Sequence, residues 1–278
     1  MARCSREHRS PRRSGELSPR VTVEQRGHVL LIGVNRPEKR NAWDRRTIEE
    51  VGLAYDRLAE DPEARVAVVY GHGDHFSAGL DLADVWPAIQ DEGPGTLSGG
   101  GSYDPFGLWK PPVPKPVVLA VQGIAFTLSI ELALASDIVV GANDVRFRQL
   151  EIGRGIMPFG GATVRATTQL GWGNAMRFLL TGEEFGADEA HRIGLVQEVV
   201  EPGRQLDRAI ELAEVIAAQA PLGVQASLAN ARVVQRRENE QAAAEHLREA
   251  LPGILASEDA AEGLQSFVER RPARFTGR

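Results

Sequence analysis

A single carboxylate interrupts the most apolar stretch of the chain. Residues 123–137 read GIAFTLSIELALASD, and Glu131 is the one charged side chain between Ile124 and Ala135. Removing a carboxylate from water is costly unless a partner or a raised pKa offsets the lost hydration. Helical spacing predicts a helix that begins near Thr127, is apolar on nearly every side and is therefore buried. We expect Glu131 in its first turn, where the helix N-terminus or a buried salt bridge stabilises it, or where it does chemistry.

A second carboxylate, Glu151, follows the strand-like stretch VRFRQL and precedes the glycine-rich stretch GRGIMPFGG. It too has a structural explanation, as a solvated loop side chain or as the ion-pair partner of an arginine. The candidate partners are Arg146, Arg148 and Arg154. Taken one at a time, both glutamates are explained by structural roles.

Several other chemistries lack their residues. No glycine-rich phosphate-binding loop is present, no G-x-G-x-x-G turn follows a predicted strand, and no G-x-S-x-G nucleophile turn occurs. His72 and His75, in GHGDH, have no third ligand at a recognisable spacing, so we interpret them as loop histidines rather than as a metal site. The single cysteine, Cys4, excludes an internal disulfide framework and a cysteine-based metal cluster. The carboxylates of Glu131 and Glu151 are therefore the remaining candidates for catalytic residues.

Composition and charge restrict the class of protein. The 278 residues are 42% hydrophobic and 25% charged, as in a globular protein with a full core. Six arginines and two glutamates give residues 1–20 a charge of +4, which leaves −10 on the rest of a chain whose net charge is −6. The acidic charge of residues 21–278 argues against a nucleic-acid partner. No apolar segment is long and uninterrupted enough to span a membrane. A single cysteine suits a protein of the reducing cytoplasm. We interpret residues 1–20 as a disordered extension or the product of a start codon placed too far upstream, not as a transit peptide.

The elements that position the two glutamates are predicted from apolar periodicity. Short β-branched runs predict strands at 21–26, 28–36, 66–73, 116–123 and 138–143, with a hairpin at Gly27. Amphipathic runs predict helices at 45–61, 206–216, 223–234, 238–251 and 258–269. Strands that alternate with helices predict an α/β fold with mostly parallel pairing. We therefore divide the chain into a tail (1–20), an α/β core (21–205) and a helical region (206–278).

Residues 85–116 break this rhythm. They are rich in glycine and proline, in GPGTLSGGG and KPPVPKP, and they carry four aromatic residues, Trp86, Tyr103, Phe106 and Trp109. The segment is too long for a simple connection, so we predict a lid, a binding loop or a partly disordered insertion. Its aromatic side chains either close over an apolar ligand or tether the loop to the core, and the sequence favours neither alternative.

Five blocks of sequence together resemble the enoyl-CoA hydratase/isomerase (crotonase) superfamily. They are NRPEKRNAWD (35–44), HFSAGLDLADV (75–85), the block from KPVVLAVQG to IGRGIMPFGGA (115–162), LLTGEEFGADEAHRIGLVQEVV (179–200) and SEDAAEGLQSFVERRPARF (257–275). The blocks follow the order and spacing of that family from about residue 21 to residue 275. Each block alone is a weak signal, whereas all five in order are a specific one.

The resemblance implies a fold and a ligand. The fold is a crotonase-like spiral of ββα units with a C-terminal α-helical region that builds homotrimers, commonly paired as homohexamers, and the ligand is an acyl-CoA. In the family, two backbone N–H groups hold the thioester carbonyl, and they correspond to those of Leu80 and Leu128. Fixed donors of this kind stabilise an enolate oxyanion most strongly in the transition state.

The resemblance also implies the chemistry. The two glutamates of the family's hydratases correspond to Glu131 and Glu151. Adding water to a trans-2-enoyl-CoA needs a base to activate the water and an acid to protonate Cα. Because isomerases need mainly the second glutamate, the presence of both favours hydration to 3-hydroxyacyl-CoA, without a metal or redox cofactor. The alternatives are isomerisation or thioester hydrolysis on the same platform, and a non-catalytic acyl-CoA-binding oligomer.

The remaining implied site residues contact the substrate and its CoA moiety. They are Lys39, Arg40, Ala42, Ala78, Asp81, Leu82, Phe159, Phe267 and Arg270, with Arg271 as an alternative to Arg270. Two positions depart from the family pattern. Thr127-Leu128-Ser129 stands where the family commonly has three glycines, and Phe159 stands where many hydratases have one. The Leu128 side chain must point away from the ligand or narrow the site, and we expect Thr127 or Ser129 to cap the helix.

Overall fold

The structure is a computed structural model that describes residues 19–219, 221–235, 252–253 and 255–273. The tail up to residue 18, the predicted helix at 238–251 and Arg274 lie outside the described residues. Within them, the expected α/β architecture with mostly parallel strand pairing is confirmed.

The core of the described chain is a six-stranded sheet in the order β1-β2-β3-β4-β6-β9. Its strands are β1 (Val21–Arg26), β2 (Val29–Val34), β3 (Val66–Gly71), β4 (Val117–Val121), β6 (Ile138–Ala142) and β9 (Glu198–Val200). Strands β1 and β2 pair antiparallel through a hairpin at Gly27, whose φ of +56° suits glycine, and the other neighbours pair parallel. Strands β2 and β4 are buried along their whole length, which is why they appear in the sequence as unbroken apolar runs.

The described residues include nine helices, of which the first and the seventh pack on opposite faces of this sheet. They are α1 (Arg45–Glu60), α2 (Leu82–Glu92), α3 (Leu128–Ala135), α4 (Ala162–Gln169), α5 (Trp172–Thr181), α6 (Ala187–Arg192), α7 (Gln205–Ala217), α8 (Pro221–Gln235) and α9 (Glu258–Glu269). Asp44 begins α1 by accepting the Thr47 N–H at 2.8 Å, and Ser257 begins α9 by accepting the Ala260 N–H at 3.0 Å. Each cap supplies an acceptor for a backbone N–H that the helix itself cannot pair.

Helix α7, the first helix of the predicted helical region 206–278, packs on the large sheet. One face of the helix carries the small side chains of Ala209, Ala213 and Ala217. This face packs on valine, leucine and alanine side chains of β2, β3 and β4. Small side chains let the helix lie close to the sheet and bury that face. No single helix among the described residues is long and apolar enough to cross a membrane. Helix α7 and the first part of α8 meet that test only as a pair, bent by 104°.

Residues 85–116 pack on the core rather than form a lid. Helix α2 occupies the first part of the segment, and Trp86, Leu97 and Phe106 are buried. The Phe106 ring lies 6.0 Å from the ring of Trp43, centroid to centroid. The predicted aromatic tether is therefore what the structure contains, and the lid prediction is wrong, because these buried side chains hold a segment whose composition alone is typical of a loop.

A second, small sheet brings the two glutamates together. Its strands are β5 (Ile124–Phe126), β7 (Arg146–Arg148) and β8 (Glu184–Gly186), and β5 pairs parallel with β7. Strand β5 leads into α3, which carries Glu131, and β7 leads into a short 3-10 helix, Glu151–Arg154. Because parallel neighbours end at the same edge of a sheet, the elements that carry Glu131 and Glu151 leave it side by side.

Candidate active site

A cavity of about 670 Å³ lies where α3, the 3-10 helix Glu151–Arg154 and α9 meet. Every residue that the sequence proposed for the site, apart from the alternative Arg271, lines it: Lys39, Arg40, Ala42, Ala78, Leu80, Asp81, Leu82, Leu128, Glu131, Glu151, Phe159, Phe267 and Arg270. The cavity is also lined by residues to which the sequence assigned no contact with the ligand, namely Glu38, Ala83, Phe126, Thr127, Leu150, Arg154 and Ile156. The fold thus brings distant segments of the chain to one concave surface.

Glu131 is a buried carboxylate, 3% exposed, with its own backbone donors. Its Oε1 accepts the N–H of Gly160 at 2.7 Å and that of Ala162 at 3.3 Å, at the N-terminus of α4. Glu131 lies in the first turn of α3, as expected, but the N–H groups that it binds are those at the N-terminus of α4. Burial raises the pKa of Glu131 to about 7, and the N–H donors together with the positive charge of Arg165 oppose a larger rise.

Glu151 lies on the same cavity, and one oxygen of its carboxyl group has no donor. It is 8% exposed, and its Oε2 accepts no hydrogen bond from the residues that the structure describes. Burial and the neighbouring charge of Glu131 raise the pKa of Glu151 well above its ordinary value. Neither structural alternative applies, because the side chain is buried and the candidate arginines contact other groups. Arg146 pairs with Glu184, Arg148 donates to the Gly182 carbonyl, and Arg154 lies over the Phe267 ring.

The two carboxyl groups favour different protonation states. Backbone donors and a buried arginine stabilise the anionic form of Glu131, whereas Glu151 faces that anion in a dry environment. A pair of this kind loses its first proton from the member whose anion is better stabilised, and the second proton stays on the other. Above the pKa of Glu131 the cavity therefore holds one carboxylate, Glu131, beside one carboxyl group that keeps its proton to higher pH, Glu151.

Two backbone N–H groups on the cavity have no partner. Within the described residues, neither the Leu80 N–H nor the Leu128 N–H donates to an acceptor. The residues that precede them touch each other, since a Cβ added to Gly79 would lie 3.2 Å from the Cβ of Thr127 and closer still to its Oγ1. Leu128 is the first residue of α3, so its N–H belongs to the set that a helix leaves unpaired. Both N–H groups are thus available to a ligand in the cavity.

Thr127 adopts an unusual backbone conformation at the start of α3. Its φ is +49° and its ψ is −107°, and a β-branched residue is strained in that region. Neither expected cap forms, because the Thr127 side chain makes no capping bond and Ser129 Oγ donates instead to the Ser77 carbonyl at 3.2 Å. The main chain holds Thr127 in place, with its N–H donated to the Arg148 carbonyl at 2.8 Å. The capping prediction is therefore wrong.

Basic side chains surround the cavity. Lys39, Arg40, Arg154 and Arg270 line it, and Arg154 lies 4.8 Å above the Phe267 ring centroid. Glu262 binds the guanidinium of Arg271 at 2.6 and 2.8 Å, and of the two arginines only Arg270 lines the cavity. The sequence predicts Arg154 only as an ion-pair partner of Glu151. Arg154 follows Glu151 by three residues on one short 3-10 helix. Because side chains with that spacing lie on the same side of a 3-10 helix, the spacing itself indicates a shared site.

Asp81 has a structural partner as well as a place on the cavity. Its Oδ2 accepts a hydrogen bond from Arg36 at 2.7 Å, which ties the turn after Leu80 to the segment that carries Lys39 and Arg40. His72 and His75 are engaged within the fold, His72 with the Thr22 hydroxyl at 2.8 Å and His75 as acceptor of the Ile124 N–H at 3.3 Å. These contacts order the loops behind the cavity.

Comparison with known proteins places these residues in a family. Residues 24–278 match the family model described as enoyl-CoA hydratase/isomerase. The chain is 34% identical over 267 residues to enoyl-CoA hydratase EchA19 of Mycobacterium tuberculosis, with 95% of this chain and 98% of that protein covered. It is 35% identical over 270 residues to carnitinyl-CoA dehydratase of Escherichia coli K12, with 94% and 100% covered.

Solved structures agree with the sequence relatives. A probable enoyl-CoA hydratase/isomerase from Mycobacterium abscessus is 48% identical, with a TM-score of 0.75 over 93% of this chain and 99% of that one. A carnitinyl-CoA hydratase from Mycobacterium avium is 33% identical, with a TM-score of 0.81 over 94% and 100%. The match extends over nearly the full length of each protein, so it includes every segment that lines the cavity.

Proposed function

The chain belongs to the enoyl-CoA hydratase/isomerase family, and we propose that it adds water to a trans-2-enoyl-CoA to form the 3-hydroxyacyl-CoA. Its relatives include proteins named as a hydratase and as a dehydratase, and hydration and dehydration are the two directions of one reaction. The observation that carries the proposal is the buried pair of carboxyl groups, with Glu131 stabilised as an anion and Glu151 as an acid. Hydration needs one group of each kind.

The two glutamates then divide the proton transfers. Glu131 accepts a proton from the water molecule as the water oxygen bonds to Cβ, and the π electrons of the double bond move into the thioester as an enolate. Glu151 gives its proton to Cα, which restores the thioester carbonyl. The proton on Glu131 passes to Glu151 before the next turnover, so that atoms and charge balance over the cycle.

We assign the enolate oxygen to the N–H groups of Leu80 and Leu128. Both are unpaired within the described residues, and the contact between Gly79 and Thr127 holds the two peptide groups near each other. Such donors act most strongly where charge develops in the transition state. Lys39, Arg40, Arg154 and Arg270 are the candidate partners of the CoA phosphates, because cationic side chains at a cavity attract these anions.

A second candidate is the dehydration of a 3-hydroxyacyl-CoA whose acyl chain carries a quaternary ammonium group, as the name of the carnitinyl-CoA dehydratases indicates for those relatives. One feature favours it. The aromatic ring of Phe159 lies on the same cavity as the two carboxyl groups, and aromatic faces and carboxylates both attract an alkylammonium ion. The rest of the lining near Phe159 includes Leu128 and Ile156, which suit an uncharged alkyl chain better.

Turnover of matched substrates distinguishes these functions. Enoyl-thioester absorbance in the ultraviolet is followed with crotonyl-CoA, with longer 2-enoyl-CoAs and, in the reverse direction, with carnitinyl-CoA. We expect loss of absorbance with at least one uncharged enoyl-CoA. Absorbance gained from carnitinyl-CoA alone would favour the second candidate. Binding of CoA esters without conversion of any of them would overturn both and support a non-catalytic binding protein.

Gly160 provides a direct test of the Glu131 cradle. A Cβ at residue 160 would lie 2.5 Å from Glu131 Oε2 and 2.9 Å from its Cδ. We expect Gly160→Ala to displace the carboxylate from its backbone donors and to lower kcat for hydration by about 10²-fold, as a misplacement of about 1 Å does. The matched control is Gly173→Ala in α5, whose added Cβ meets no atom within 4 Å. Equal kcat values for the two variants would contradict the cradle.

We also propose that the chain assembles as a homotrimer or a homohexamer in the cytoplasm. Helix α5 exposes Trp172 and Leu180, and α9 exposes Val268. Large apolar side chains on the surface commonly mark a contact with another protein. Sedimentation velocity measures the mass of the assembly directly, and a stable monomer at micromolar concentration would contradict this part of the proposal.

A further inference from the structure

A buried arginine lies behind the catalytic base, outside the residues that line the active-site cavity. Arg165 is 7% exposed and lies on α4, the helix whose N-terminal N–H groups bind Glu131. Its guanidinium folds back over the start of its own helix. A Cβ added to Gly161 would collide with Arg165 Nη1 and would lie 3.6 Å from its Cζ. The Glu131 carboxylate lies against the adjoining Gly160, so the two charged groups contact the same dipeptide.

A buried carboxylate orders the turn that lies next to Arg165. Asp104 is fully buried in the segment 85–116, and it accepts the N–H of Phe106 at 2.8 Å and those of Leu108 and Trp109 at 2.9 Å. The turn that Asp104 organises contains Gly107, where an added Cβ would lie 3.6 Å from Arg165 Nη2. Arg165 therefore lies next to the turn built around Asp104 and against the dipeptide that holds Glu131.

We propose that Arg165 is a positioning residue that keeps Glu131 anionic and that Asp104 counterbalances it, so that Asp104, Arg165 and Glu131 form one buried charge relay behind the active site. The proposal rests on the proposed function in so far as Glu131 is the base of the reaction. It also gives residues 85–116 a role, since they carry the carboxylate at the far end of the relay.

The charge of each residue decides whether it raises or lowers the pKa of Glu131. A positive charge near Glu131 favours its anion, and a negative charge near Arg165 weakens that effect. The other groups that face Glu131 are Glu151, across the cavity, and the backbone N–H groups of Gly160, Gly161 and Ala162. Arg165 also lines a second cavity of about 550 Å³, where Asp137 and Arg232 pair with each other at 3.0 Å. Asp137 and Arg232 carry opposite charges, so this pair adds no net charge beside Arg165.

Two substitutions of opposite sign test the relay. Arg165→Met removes the positive charge at similar volume, and Asp104→Asn removes the negative one. In the pH profile of kcat/KM, we expect Arg165→Met to move the acidic limb to higher pH by about 1, which lowers the rate about tenfold on that limb and spares it on the plateau. We expect Asp104→Asn to move the limb to lower pH. Arg165→Lys, which keeps the charge, should restore most of the wild-type profile.

The controls separate electrostatics from structure and from the assigned reaction. Arg192→Met removes an exposed arginine of α6 that pairs with Glu189, and it should leave the limb in place. Infrared difference spectra against Glu131→Gln follow the Glu131 carboxyl band directly, so the titration can be read even if no enoyl-CoA is turned over. If Arg165→Met does not fold, Asp104→Asn still tests the proposal, with Arg165→Lys as the control that keeps the charge. The relay is overturned if folded Asp104→Asn leaves the Glu131 titration unchanged, or if folded Arg165→Met leaves it unchanged or moves it in the same direction as Asp104→Asn does.

Discussion

Glu151→Gln is expected to lower kcat for enoyl-CoA hydration by about 10³-fold. Glutamine has the size of glutamate and carries no transferable carboxyl proton, so the enolate loses the acid that protonates Cα. Substrate binding should change little, because Glu151 Oε2 makes no hydrogen bond within the described residues that the variant would break. The measurement is kcat and KM from the loss of enoyl-thioester absorbance, together with the Kd for the 3-hydroxyacyl-CoA product.

The matched control for this variant is Glu184→Gln, which removes an exposed carboxylate of β8 and should keep the wild-type kcat. A Glu151→Gln variant with full kcat would remove Glu151 from the mechanism. A loss that appears only in KM would make it a binding residue and not the acid.

The pH dependence of kcat/KM provides a second test of the roles of Glu131 and Glu151. Glu131 must be anionic to act as the base, and burial sets its pKa at about 7, so kcat/KM should fall as the pH drops through that value. Glu151 must be protonated, and burial beside Glu131 raises its pKa, so the rate should fall again at higher pH. A profile that rises toward acid would assign the base to another group.

Removal of the Leu128 N–H is expected to lower kcat by about 10²- to 10³-fold. Replacing Leu128 by the corresponding α-hydroxy acid changes one backbone amide into an ester and keeps the leucine side chain. The enolate oxygen then loses one of its two donors at the moment when its charge develops. Because this N–H is unpaired in the free protein, the ester removes no hydrogen bond that holds the fold together.

The control for the ester is Leu128→Ala, which keeps the N–H and removes the buried side chain. We expect it to change the preferred acyl chain length more than kcat, because Leu128 lines the cavity. An ester variant with wild-type kcat would contradict the assignment of this donor, and the ester at Leu80 would then test the second one in the same way.

Two features, the order of residues 85–116 and the backbone of Thr127, depend on contacts between residues that are far apart in the sequence. The segment 85–116 has the glycine and proline content of a loop, yet Asp104 orders its central turn through three backbone N–H groups, and Phe106 packs against Trp43. Composition reports the conformational freedom of a segment in isolation, whereas order here comes from contacts with residues far along the chain. The same holds for Thr127, which does not cap α3 because contacts with Arg148 and Gly79 fix its backbone.

The sequence by itself determined that Glu131 is buried, that parallel strands alternate with helices, and that the chain belongs to its family. These properties follow from the spacing of apolar residues along single elements and from local motifs. Only the tertiary structure decided that the start of α4 binds Glu131, that Glu151 lies beside it without a donor to its Oε2, and that Arg165 and Asp104 lie behind the pair. Periodicity records which face of an element is buried, but the partner of a buried charge depends on how separate elements meet, and the pKa of that charge depends on the partner.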